Sequence, residues 1–68
     1  MKVKYFRDTD TALLEFSTGI VEETREIAEN VCVDLDHRGN LVSMTIEHAA
    51  ELAQLPQVIL EEIGASAA

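Results

Sequence analysis

The side chains able to do chemistry in this chain are two histidines, one cysteine and a scatter of carboxylates, and their spacing decides what they can do. His48 and Glu51 lie three apart and would share a face of a helix that began early, which is half of a divalent-metal site. A full site needs further ligands at set spacing, and His37 and Cys32 do not converge on that pair along the sequence. A histidine at a strand-to-helix corner is the plainer expectation. Cys32 would need a neighbouring base and a positive setting to act as a nucleophile, yet alternation places it opposite Thr45 and beside Asp34. The closely spaced Asp8, Asp10, Asp34 and Asp36 are grouped like calcium ligands, but the twelve-residue spacing and its terminal glutamate are missing. Turn chemistry accounts for them better. No glycine-rich phosphate loop, nucleophile elbow or paired-cysteine zinc spacing occurs. The expectation is a non-enzymatic protein with no catalytic, cofactor-binding or metal-binding residues.

The composition points to interaction instead. Thirteen acidic side chains face five basic ones, a formal net charge of -8 that repels phosphate backbones and disfavours direct nucleic-acid binding. The acids are uneven: Glu22, Glu23, Glu26 and Glu29 crowd one segment, and such a field steers a cationic partner at low salt. With 47% hydrophobic and 26% charged residues, the chain has the balance of a globular protein without a membrane span. Met1-Lys2-Val3-Lys4 leads straight into alternating residues, with no signal-peptide run, and the lone Cys32 suits a reducing compartment, so a cytoplasmic location is expected. At 68 residues the chain is near the lower limit for a self-sufficient core, which makes a homo-oligomer, a dimer first, the default. One small domain over 1–64 and a flexible tail over 65–68 are expected.

The elements that must position these residues follow from periodicity. Met1 to Phe6 alternates with period two and reads as a strand, Asp8-Thr9-Asp10-Thr11 favours a turn, and Ala12 to Phe16 is a second strand. Facing Tyr5 with Leu14 and Val3 with Phe16 sets Lys4 opposite Glu15, so one register satisfies both an apolar face and an ion pair. Ser17-Thr18-Gly19 punctuates. Ile20 to Ile27 fits either a helical stripe of Ile20, Val21, Thr24, Ile27 and Ala28 or a sparse strand, and a short irregular strand is preferred. Asn30 then suits a left-handed turn.

The clearest element is the hairpin from Val31 to His48. Pairing Val31 with Ile46, Val33 with Met44 and Leu35 with Val42 puts all six on one face, whereas a one-residue slip would set Asp34 within it. The connection is Arg38-Gly39 or His37 to Asn40, with Gly39 and Asn40 able to take positive φ. Ala49, Ala50, Leu52 and Ala53 then predict a helix; Pro56 interrupts it and could open a second, with Ile59 and Ile63 on one face and Gly64 as a stop.

The order Tyr5, Asp10-Thr11, a short strand, Glu23-Thr24, Val33-Asp34-Leu35-Asp36, Gly39 and Ile46-Glu47 before a small-residue helix start resembles the family of domain of unknown function 2283. The resemblance covers about residues 3 to 50, with Leu35 where an aromatic residue is usual and a longer extension from Glu51 to Ile63. It implies a four-stranded antiparallel sheet with a C-terminal helix across one face. It also implies a role as a small neutralising partner of a basic, ribonuclease-like toxin.

The expected fold is therefore α+β: a four-stranded antiparallel β-meander of two hairpins, with a C-terminal helix or broken helix pair on one face. Its second face would carry Phe6, Leu13, Cys32 and Leu41. The expected partner-binding residues are Phe6, Leu13, Leu41 and the acidic Glu22, Glu23, Glu26 and Glu29. The leading reading is an acidic module that restrains a basic protein partner; the alternatives are a self-assembling homo-oligomer and a small-ligand or metal binder using His48.

Overall fold

The computed structural model describes residues 1–64, and the tail expected over 65–68 lies outside the described residues. Five strands form in chain order: β1 (Lys2–Phe6), β2 (Thr11–Glu15), β3 (Glu23–Ala28), β4 (Val31–Leu35) and β5 (Leu41–Glu47), followed by one short helix, α1 (Ala49–Ala53). They make a single sheet in the order β1-β2-β5-β4-β3, every pairing antiparallel.

This corrects the four-stranded meander in two respects. Glu23–Ala28 is a full strand, and β2 pairs with β5 instead of with the strand that follows it. The physical reason is burial. Ala12 and Leu14 of β2 lie against Ile46 and Met44 of β5, so the most apolar strands occupy the middle, where both neighbours shield them. A meander would have set Glu23 and Arg25 in that position. The chain instead leaves β2 at Phe16, whose N–H bonds the Val42 carbonyl at 2.8 Å, and runs past the ends of β5 and β4. Glu22 then donates to the Leu35 carbonyl at 2.8 Å and starts β3 on the outer edge.

The β4–β5 hairpin holds the expected register at Val31–Ile46 and Val33–Met44. It departs at its end, where a bulge pairs Leu35 with Leu41 instead of Val42. The β1–β2 hairpin is slipped by two residues from the expectation: Val3 faces Leu14, Tyr5 faces Ala12, and Lys4 faces Leu13. A slip of two preserves the faces, and the expected ion pair survives as a diagonal contact, Lys4 Nζ to Glu15 Oε1 at 3.2 Å.

One sheet face carries the rows Tyr5-Ala12-Ile46-Val31 and Val3-Leu14-Met44-Val33. Ala49 and Leu55 pack on Ala12, with Tyr5, Leu14 and Ile46 around them. This is the core, and it is small: among the described residues Ala12, Val33, Val42, Ala49 and Leu55 are the buried apolar ones, and no large side chain is fully enclosed. The helix pair is also corrected. Among the described residues only α1 forms; residues 57–64 have no regular secondary structure. A one- or two-turn helix forms only when tertiary packing offsets its nucleation cost, and Ile59 and Ile63 remain exposed here.

Candidate functional site

Of the four aspartates grouped in the sequence, Asp10, Asp34 and Asp36 are engaged in hydrogen bonds that hold turns and strand rows. Asp10 ends the β1–β2 turn in the left-handed region, φ 52, a conformation Asp tolerates better than most residues. Its Oδ1 accepts the Tyr5 hydroxyl at 2.6 Å and the Ala50 N–H at 3.0 Å, while its carbonyl accepts the Ala49 N–H at 2.9 Å. Two of the donors that a helix start leaves unpaired are thereby satisfied from a turn forty residues earlier. The Tyr5 hydrogen bond, then the Ala50 amide, hold the Asp10 carboxyl below its usual range. The same bond raises the Tyr5 phenol.

Asp34 lies in the middle of the polar row Thr24-Asp34-Ser43, which crosses β3, β4 and β5 in register. Its two oxygens accept the Ser43 and Thr24 hydroxyls, each at 2.6 Å, and these bonds lower its pKa. Asp36 organises the β4–β5 turn. It accepts the amides of Arg38 and Asn40 at 2.9 Å each, and the Gly39 N–H bonds its carbonyl at 3.1 Å. Backbone donation from Asn40 leads the lowering of its carboxyl pKa. The turn role read from the sequence holds for Asp10 and Asp36, while the cross-strand row that Asp34 makes with Thr24 and Ser43 was not read from it. The signal was present in the spacing of short polar residues against strand ends; the distant partner of Asp10, the Ala50 amide, had none.

His48 takes φ 56 at the start of α1, the strand-to-helix corner expected of it. Among the described residues no group of three or more His, Cys, Asp or Glu is placed to hold a metal ion. Cys32 is half-buried and unpaired.

The sheet has two edge strands, β1 and β3, and the expected acidic contact residues lie at the β3 edge. Every residue of β3 is exposed, and it pairs only with β4, leaving the outward row of backbone N–H and C=O groups open. Glu22, Glu23, Glu26 and Glu29 all fall on or beside this strand, interleaved with exposed Val21 (45%) and Ile27 (57%). Arg25 bonds Glu23 and lowers its carboxyl pKa, so Glu23 is the one acid of the four with a local counter-charge. At the strand's entry a shallow depression of about 420 Å³ is lined by Gly19, Ile20, Val21, Glu22, Asp36 and His37.

The other expected contact residues are placed elsewhere. Phe6, half exposed, ends the opposite edge strand β1, and Leu13 lies in the row Lys4-Leu13-Thr45-Cys32-Glu26 on the face away from α1. Glu26 and Leu13 thus share a face but stand three strand spacings apart, roughly 14 Å. Leu41 does not join them. The bulge opposes it to Leu35, and directly opposed residues share a face, so Leu41 belongs with the Val33 side.

A single antiparallel sheet with one short helix packed on it, its recurrent polar residues spent on turns and strand rows, defines a small α+β domain. The family model described as "Protein of unknown function (DUF2283)" matches residues 2–49, the whole sheet and the start of α1. The chain belongs to that family. No curated protein and no solved structure matches it.

Proposed function

We propose that the protein is a non-enzymatic interaction module that binds a basic protein partner through the β3 edge, as an antitoxin-like subunit restrains a basic toxin. The observation that carries this is an edge strand with open backbone groups and unneutralised Glu22, Glu26 and Glu29 around exposed Val21 and Ile27. A partner strand added there would gain main-chain hydrogen bonds, and its lysines or arginines would meet the glutamates. The Gly19–His37 depression would take a side chain at the end of that strand. Phe6 and Leu13 come into play only for a partner broad enough to lie across the polar face.

The test is binding to the protein encoded next to this one, by calorimetry at about 50 and 300 mM salt. The triple variant Glu22→Lys, Glu26→Lys, Glu29→Lys is expected to weaken the complex by at least about tenfold at low salt, and to flatten its salt dependence. Equal affinity of the variant and the parent at both salt concentrations would reject the edge as the docking site.

A further inference from the structure

The two edges of the sheet carry opposite charge. β1 holds Lys2 and Lys4 and no acid, and both lysines are exposed. β3 holds Glu23 and Glu26, with Glu22 and Glu29 on either side of it, and its one cation, Arg25, is bonded to Glu23. The edges also run the same way. Antiparallel steps through β2, β5 and β4 lead from β1 to β3, so the two strands point in one direction, and they are similar in length at five and six residues. A second copy displaced sideways, without being turned over, therefore sets its β3 beside β1 with the α1 faces on one side. Side-chain rows then continue from copy to copy. The row Lys4-Leu13-Thr45-Cys32-Glu26 ends on a lysine at one edge and a glutamate at the other, so its continuation opposes Glu26 to the Lys4 of the neighbouring copy. The row Lys2-Glu15-Ser43-Asp34-Thr24 likewise brings Thr24 to Lys2. Phe6 and Ile27, 49% and 57% exposed, come to the same end of the junction.

We propose that the protein assembles with itself edge to edge, the β1 edge of one copy pairing in parallel with the β3 edge of the next, in the register that continues these rows. Main-chain hydrogen bonds join the open backbone groups of the two strands, and Lys4 meets Glu26. Charge selects this pairing over the two symmetric ones. Like charges opposed across neighbouring strands are destabilising, so the lysines keep two β1 edges apart and the glutamates keep two β3 edges apart. The junction is head-to-tail and leaves one edge of each kind unused, so a third copy adds as the second did. With one strand from each side it is smaller than a standard stable interface, which puts it among the weak, concentration-dependent ones. This inference goes beyond the basic-partner reading and does not rest on it. It does use the same β3 edge, so a partner strand docked there ends the growing assembly.

Sedimentation and light scattering at about 5 to 500 μM test it, with circular dichroism to check that each variant is folded. The weight-average mass of the parent is expected to climb with concentration past twice the chain mass. Lys2→Glu with Lys4→Glu on β1, and separately the triple reversal Glu22→Lys, Glu26→Lys, Glu29→Lys on β3, should each raise the dissociation constant at least about tenfold. Mixed in equal amounts, the two variants should assemble again, because an acidic β1 then meets a basic β3. The β1 variant keeps its β3 edge and should still bind the basic protein encoded next to this one, so its loss of self-assembly is read independently of partner binding. A parent at single-chain mass throughout the range, assembly that persists in either variant, or a mixture of the two that stays unassociated would each overturn the proposal.

Discussion

At the level of single residues, three aspartates serve as connectors: Asp10 between turn and helix, Asp34 between three strands, Asp36 within a turn. Each is held below the ordinary Asp value of 3.8, in every case by a hydrogen bond before any other cause. A carboxyl lowered in the folded state favours folding above its unfolded pKa, and that contribution is lost as pH falls through the folded value. Stability should therefore be flat from about pH 7 to 5 and fall below about pH 4. Asp34→Ala removes two hydroxyl bonds and should cost about 1–2 kcal/mol at pH 7, measured by urea unfolding. The gap between parent and variant should narrow at about pH 2.5, where the parent's carboxylate is being protonated. A gap of the same size at both pH values would show that the ionised form plays no part.

At the level of elements, backbone conformation sets the sharpest expectation. Gly39 has φ +82 in the β4–β5 turn, with nothing within 4 Å of where a Cβ would stand. Its replacement is therefore limited by the backbone and not by crowding. Gly39→Val should cost about 1–3 kcal/mol, and Gly39→Asn much less, because Asn enters the left-handed region readily. Equal loss in thermal melts of the two variants would contradict that account. The same hairpin shows what the sequence makes legible. Strict alternation in Val31-Val33 and Met44-Ile46 allows one dry face and so fixes their partners. Where two slips bury the same residues, as between β1 and β2, alternation settles the face but not the register. Asn30, expected to turn left-handed, has φ 67. The sheet order was not legible, because β3 is exposed on both faces and carries no apolar period, and because the β2–β5 pairing joins segments thirty residues apart. The second helix failed for a related reason: spacing gave Ile59 and Ile63 a common face, but both stay exposed, with none of the described residues covering them.

At the scale of the whole molecule, charge and size act together. A formal net charge of -8 is spread over a body of 38 × 32 × 20 Å, and among the described residues the ion pairs are Lys4–Glu15 and Arg25–Glu23, both at the surface. Exposed pairs of this kind contribute little, so repulsion among the carboxylates dominates the electrostatics of folding. At 0.01 M salt the screening length is about 30 Å, comparable to the molecule itself, and at 1 M it is about 3 Å. Raising sodium chloride from about 0.01 to 0.5 M should therefore raise the midpoint of thermal unfolding by several degrees. The same change should weaken a complex with a basic protein at the β3 edge, because there the long-range term is attractive. Opposite responses of fold and complex to one variable follow from a single charge distribution, and calorimetry on the free chain and on the complex measures both. A melting midpoint that falls with salt would mean that local pairs outweigh the net field. The acidic surface would then be part of what holds the fold, and the glutamates of β3 would not be free for a partner.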